Sequence, residues 1–195
     1  MKFLRKLVIL LIVVLVAAGA WAWSGIYNIG ADAPHWKVTE QVLAFVRERS
    51  IEHHAESIVS IPDLGNPALV KLGAEHYHEM CTGCHLAPGM TSSEMREGLY
   101  PKPPNLTRFA PDPAEAFWVI KHGIKMSAMP AWGKTHDDHK IWAMVAFLQQ
   151  LPHMSVARYQ SLVNAPAQAP SPAATSSAPA AAASTAPAPA PASSR

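Results

Sequence analysis

The first pattern along the chain is an apolar run with no polar relief, LVILLIVVLVAAGAWAW, from Leu7 to Trp23. It approaches the roughly 20 apolar residues that a helix needs to span a bilayer. Beyond it the pattern becomes periodic. In KVTEQVLAFVRERSIEHHAESI, Val38, Val42, Phe45 and Val46 share one face, which predicts a helix from Thr39 to Ile58. That face either lies near the membrane or packs on the domain that follows, and His53 and His54 read as surface residues. Asn66 followed by Pro67 reads as an N-cap and first helical residue, predicting a helix from Pro67 to Met80. Asp112, Pro113 and Gly123 punctuate a second helix in the same way, filled by Phe117, Trp118 and Ile120. A third follows Thr135, with Thr135 and Asp138 as a capping pair, Ile141, Val145 and Leu148 at helical spacing, and Pro152 ending it. The intervening stretch 85–112 is rich in Pro and Gly, and nothing alternates like a strand. The expectation is an all-α domain, small for a self-sufficient core, with something else filling its centre.

The ends differ from this middle. Lys2, Arg5 and Lys6 precede the apolar run, which puts the N-terminus in the cytoplasm and the rest outside it. Ala18-Gly19-Ala20 would suit a signal-peptidase site. The length of the run and the aromatic cluster Trp21, Trp23 and Tyr27 favour an uncleaved anchor, since such rings settle at the headgroup level. From Asn164 to Ser194 there is no charge, aromatic or large aliphatic side chain, the composition of a disordered tail. The formal net charge of +2 is too balanced to point to nucleic acid.

The chemistry concentrates in HEMCTGCHLAPGM, which contains both of the chain's 2 cysteines. A structural disulfide between Cys81 and Cys84 would leave His85 unexplained. A thioredoxin-like pair needs a βαβ context, and a zinc site needs further ligands. Cys-x-x-Cys-His is instead the signal for covalent haem attachment. Thioethers from Cys81 and Cys84 would fix the macrocycle and hold His85 at the iron, while the haem supplies the missing apolar mass. A sixth ligand is sought in GIKMSAMPAWG: Met129, rigidly presented beside Pro130, with Met126 as the alternative and His122 nearby. Trp118, Trp132 and Trp142 read as packing around haem or core, His76 and His78 as solvent-facing, and Met90 and Met95 as loop or core.

With these residues in place the chain resembles the class I c-type cytochromes over residues 66–152. GAEHYHEMCTGCH sets Gly73, Tyr77 and Cys81 four apart, like the family's N-terminal helix, whose glycine allows close crossing by the C-terminal helix. IWAMVAFLQQL is similar to that C-terminal helix, with Phe147 at its packing aromatic. MPAWG resembles the loop of the distal methionine, implying Met129 as ligand. PKPPNL resembles the segment whose carbonyl accepts the proximal histidine's ring N–H, implying Pro103 or Pro104. The implied fold is a cytochrome c-like arrangement of three to five helices around one covalently bound haem c, preceded by a single transmembrane helix. The organisation expected is a cytoplasmic basic end at 1–6, an anchor or signal segment at 7–24, and a periplasmic connector with an amphipathic helix at 25–62. A mono-haem cytochrome c domain at 63–155 and a disordered tail at 156–195 complete it.

A haem with both axial positions filled by protein has no place for a substrate. The expectation is an electron-transfer protein rather than an enzyme: a cytochrome tethered in a bacterial inner membrane, its haem domain in the periplasm. It would pass single electrons between redox protein partners, with no small-molecule substrate and no nucleic acid. The alternatives are a fixed subunit of a respiratory oxidase or dehydrogenase complex, and an open-site haem enzyme or sensor. Between Lys102 and Lys134 five basic residues face two acidic ones, either a docking rim for an acidic partner or an ordinary solvated surface.

Overall fold

The computed structural model describes residues 1–164, and among them every regular element is helical. The residues from 165 onward, which carry nearly all of the expected tail, lie outside the described residues. The apolar run forms α1, Lys2–Trp23, with none of its residues buried. At 1.5 Å per residue it is about 33 Å long, enough for a hydrocarbon core of about 30 Å. It is the one described helix long and apolar enough to cross a membrane.

The connector after α1 is folded. Tyr27 Oη and His35 Nδ1 are 2.6 Å apart, and the His35 N–H donates to Tyr100 Oη at 3.3 Å. The chain then enters α2, Lys37–Ala55, which starts two residues earlier and stops three earlier than expected. It packs on α6, Pro113–His122. His54 is not an idle surface residue: its ring stacks on Trp118 at 5.1 Å and 3°.

Two N-termini follow the sequence punctuation. In α3, Pro67–Met80, the Asn66 side chain accepts from Ala68 N at 2.9 Å, and Pro67 occupies a position whose N–H would have no partner. In α6, Asp112 accepts from Ala114 N at 2.9 Å and Glu115 N at 3.1 Å. Single helical turns α4, Thr82–His85, and α5, Glu94–Glu97, lie between them. The start of α7, Asp138–Gln150, differs from expectation: Asp137 is its cap, accepting from Lys140 N at 2.9 Å. Thr135 belongs to the preceding 3₁₀ turn, Trp132–Lys134, where its hydroxyl meets Trp132 O.

The expected tail boundary at residue 156 is corrected. Residues Val156–Val163 form α8, capped by Ser155, with Tyr159 and Leu162 buried against α3. A stripe of two large apolar side chains three apart is enough to dock a short helix on a preformed core, although its polar neighbours read as tail. Tyr159 Oη also lies 2.8 Å from His78 Nδ1, so His78 is a partner rather than a purely solvent-facing residue. His76 is half-buried against His136, with ring centres 5.5 Å apart. Trp142 stacks on Phe117 at 4.2 Å within the core.

The core is centred on the crossing of α3 and α7. At Gly73 the two backbones touch: a Cβ built there would fall inside the peptide of Ala143 and 2.9 Å from Phe147 Cβ. Beside it Tyr77 and Phe147 pack with centroids 5.2 Å apart, both essentially sealed from solvent. No rotamer change relieves a clash with backbone, so Gly73→Ala should push the helices apart. We expect a loss of about 3 kcal/mol or more, the upper end of overpacking costs, in chemical denaturation of the holoprotein. A loss below about 0.5 kcal/mol would show that the crossing tolerates a side chain.

Candidate functional site

Helix α3 delivers Cys81 at its end, with Cys81 N bonded to Tyr77 O at 2.9 Å. The chain then takes one more turn, α4, closed by His85 N to Cys81 O at 2.8 Å. A single turn with this spacing brings both thiols and the imidazole onto one cavity. The next residue ends the helix abruptly. Leu86 has φ 66° and ψ 168°, a region that costs a non-glycine residue about 1–3 kcal/mol. It is held there by burial of its side chain and by Tyr77 Oη donating to its carbonyl at 2.6 Å. Neither Leu86 nor the Tyr77 hydroxyl was visible as a site residue in the sequence. The fourfold spacing of Tyr77 and Cys81 was the available clue.

His85 Nδ1 lies 2.9 Å from the carbonyl oxygen of Pro104. A carbonyl only accepts, so Nδ1 carries the proton and Nε2 keeps its lone pair. Burial pulls the His85 pKa below the usual imidazole value, the Pro104 bond opposes this, and Arg96 adds to it. The result is a neutral ring of fixed tautomer, the form that ligates a metal. The other proline named from the sequence, Pro103, has a different partner: its carbonyl accepts from Arg96 Nη1. The same nitrogen donates to Cys84 O at 3.0 Å, so Arg96 clips the proline segment to the cysteine turn. Ser93 Oγ donates to Gly83 O, and Cys84 Sγ lies 3.3 Å from Met95 Sδ. Arg96 and Ser93 were missed, and Met95 was read only as loop or core, because only folding brings 93–96 onto 83–84.

Met129 lines the same cavity, whereas Met126 is fully exposed with φ 56°. The loop between them is pinned by its own polar atoms. Ser127 Oγ donates to Ile124 O at 2.8 Å and accepts from Met129 N at 3.2 Å, and Ile124 N reaches Met129 O at 3.1 Å. Gly123 makes this possible, combining φ 66° and ψ −173° with close approach to the backbone of 129–131. His122, by contrast, is exposed and packs toward Trp118.

The cavity measures about 520 Å³, within the range of cofactor sites. Leu106, Ile120, Trp132, Met144 and Leu148 give it an apolar lining. Part of its wall comes from α2, which contributes Arg47, Glu48 and Ile51. Cys81 and Cys84 are free thiols rather than a disulfide. Burial, and then the neighbouring Cys84, push the Cys81 thiol up to about 12. Burial thus disfavours the thiolate, the form that attacks a disulfide. Among the described residues no group of three or more His, Cys, Asp or Glu is arranged to hold a metal ion. Of the basic residues from 102 to 134, Lys102 is paired with Glu97 and Lys121 with Asp138, each at 2.7 Å, while Arg108, Lys125 and Lys134 are exposed.

Residues 68–148 match the family model described as "Cytochrome C oxidase, cbb3-type, subunit III", a class I c-type cytochrome domain. The match leaves out α1, α2 and α8. No curated protein and no solved structure matches the chain.

Gly123→Ala tests the mounting of the methionine loop. The added methyl would stand 2.7 Å from Met129 O, Pro130 C and Ala131 N, on a backbone that strains any L side chain. We expect a loss of about 2–3 kcal/mol in stability, with faster amide exchange at Ile124. Unchanged exchange there would mean that the loop is held by other contacts.

Proposed function

With residues 68–148 as a class I c-type cytochrome domain, which carries haem c and transfers electrons, we propose that the protein is a membrane-tethered periplasmic mono-haem cytochrome. It passes single electrons between redox proteins, with Cys81 and Cys84 forming the thioethers and His85 and Met129 the axial ligands. The observation that carries this reading is the shared cavity: two thiols, an imidazole of fixed tautomer and a thioether line one apolar space.

That donor set fits the cofactor. Haem c, when bound, supplies reversible one-electron exchange at its iron. His85 offers Nε2 because Nδ1 is engaged by Pro104. Arg96 holds the carbonyls of Cys84 and Pro103, which steadies the proximal side. Met129 offers a soft thioether, and pairing Met with His raises the reduction potential, which suits electron carriage. Arg47 and Lys102 line the cavity, paired with Glu48 and Glu97, and would exchange those partners to meet the carboxylates that haem c carries. The apolar lining excludes water. The basic residues Lys2, Arg5 and Lys6 support a cytoplasmic N-terminus with the haem domain on the opposite side.

A second reading has its own support. The family description names an oxidase subunit, and the Tyr27–His35–Tyr100 contacts make the connector a joint instead of a loose leash. A fixed subunit of a respiratory complex would co-purify with stoichiometric partners in mild detergent, and a mobile carrier would not.

The axial assignment predicts distinct spectra. The purified protein should show a low-spin haem with the weak methionine-to-iron charge-transfer band. Met129→Ala should abolish that band and open the iron to carbon monoxide, while Met126→Ala leaves both properties unchanged. A band that survives Met129→Ala, or rapid carbon monoxide binding by the native reduced protein, would turn the reading toward another ligand or an open-site haem protein.

A further inference from the structure

Helix α2 has two apolar faces, and the domain covers only one of them. Ala44, Ile51 and Ala55, with the stem of Arg47, form the covered face; they recur at helical spacing, and the helix packs on α6. The opposite face carries Val38, Val42, Phe45 and Val46, spaced i, i+4, i+7 and i+8, and each is between 55% and 72% exposed. A helix apolar on two sides needs cover on both, and a stripe of four large side chains exceeds the scattered apolar residues normal on a surface.

The covering surface is indicated by what precedes the helix. The ring of Trp21, near the outer end of α1, packs on Tyr27 at 5.7 Å, and Tyr27 packs edge-on against Trp36 at 6.2 Å. Trp36 is the residue immediately before α2. The 13 residues between Trp23 and Lys37 do not stray: Tyr27 and His35 are bonded at 2.6 Å, with a turn at Ala33 N to Gly30 O. The start of α2 is thus held in the same aromatic cluster as the end of the membrane-length helix, at the level where such rings settle. Past Val46 the same face continues as Arg49 and His53, and Arg49 pairs with Glu52, so the apolar stripe is confined to residues 38–46 and ends in polar side chains.

We propose that α2 lies along the outer lipid surface, with Val38, Val42, Phe45 and Val46 set into the headgroup boundary and its opposite face against the haem domain. An interfacial helix of this kind spans nothing and docks by its apolar side. The consequence is geometric. Because Arg47 and Ile51 of α2 also line the cavity, the cofactor is held at a set height above the bilayer. This inference rests on the tethered reading above, and the two fail separately.

Full-length holoprotein in lipid nanodiscs, carrying one nitroxide label at a time on Val42→Cys, Glu40→Cys or Val13→Cys, tests it by collision with oxygen and with a water-soluble nickel complex. The unsubstituted holoprotein taken through the same labelling gives the background. Expected is a lipid-side depth parameter at residues 42 and 13 and an aqueous one at residue 40, on the other side of α2 at nearly the same position along its axis. An aqueous label at 42 with a buried label at 13 overturns the docking and keeps the tether; an aqueous label at 13 overturns the tether. A label at 42 that is shielded from both reagents in native membranes but aqueous in nanodiscs also overturns the proposal, because a protein partner would then cover the face.

Discussion

The backbone contact between Gly73 and Ala143 sets the geometry on which the site depends. Without a side chain at 73, α3 and α7 approach until peptide meets peptide, and Tyr77 and Phe147 close the crossing from the side. The direction of α3 then decides where Cys81 emerges, and hence where the next turn points both thiols and the imidazole. Residues of α7 such as Met144 and Leu148 form another part of the cavity wall. One close approach therefore governs both the core and the space beside it.

Around that space, two abrupt chain reversals fix the side chains of interest. Leu86 leaves the cysteine turn in a strained conformation held by the Tyr77 hydroxyl, and Gly123 enters the methionine loop at nearly the same φ and ψ, where the backbone of 129–131 also leaves no room for a side chain. Each lies one to six residues from a proposed axial ligand. Backbone conformation held by burial and hydrogen bonds is a stiffer mount than side-chain packing alone. Such stiffness suits the proposed role, in which the site would change charge by one electron with little rearrangement.

The features legible in the sequence were the local ones. Asn66-Pro67 and Asp112-Pro113 marked helix starts because a cap bonds its own neighbours. Cys81, Cys84 and His85 stood out by spacing, and the likeness of PKPPNL to a known segment pointed to two prolines, of which Pro104 lies against His85. What escaped notice depends on distant partners. Arg96 matters because folding sets it between Cys84 and Pro103, and α8 exists because a core was waiting for Tyr159 and Leu162. Asp137 outcompeted Thr135 as a cap because the preceding turn had already engaged Thr135. The second apolar face of α2 was hidden for the same reason, since a single face accounts for the periodicity.

Segments outside the family match add to the domain as well. Helix α2 walls the cavity and α8 braces α3, so the packed helical unit extends past the matched residues 68–148 in both directions. The central claim is that this cavity holds one haem, bonded through both cysteines. Intact-mass measurement of the protein purified from a haem-maturing bacterium, denatured in acid before analysis, tests it most directly. The account predicts the polypeptide mass plus one haem in the native sequence, and no retained haem when Cys81 and Cys84 are both replaced by Ala. A bare polypeptide mass for the native protein would contradict it.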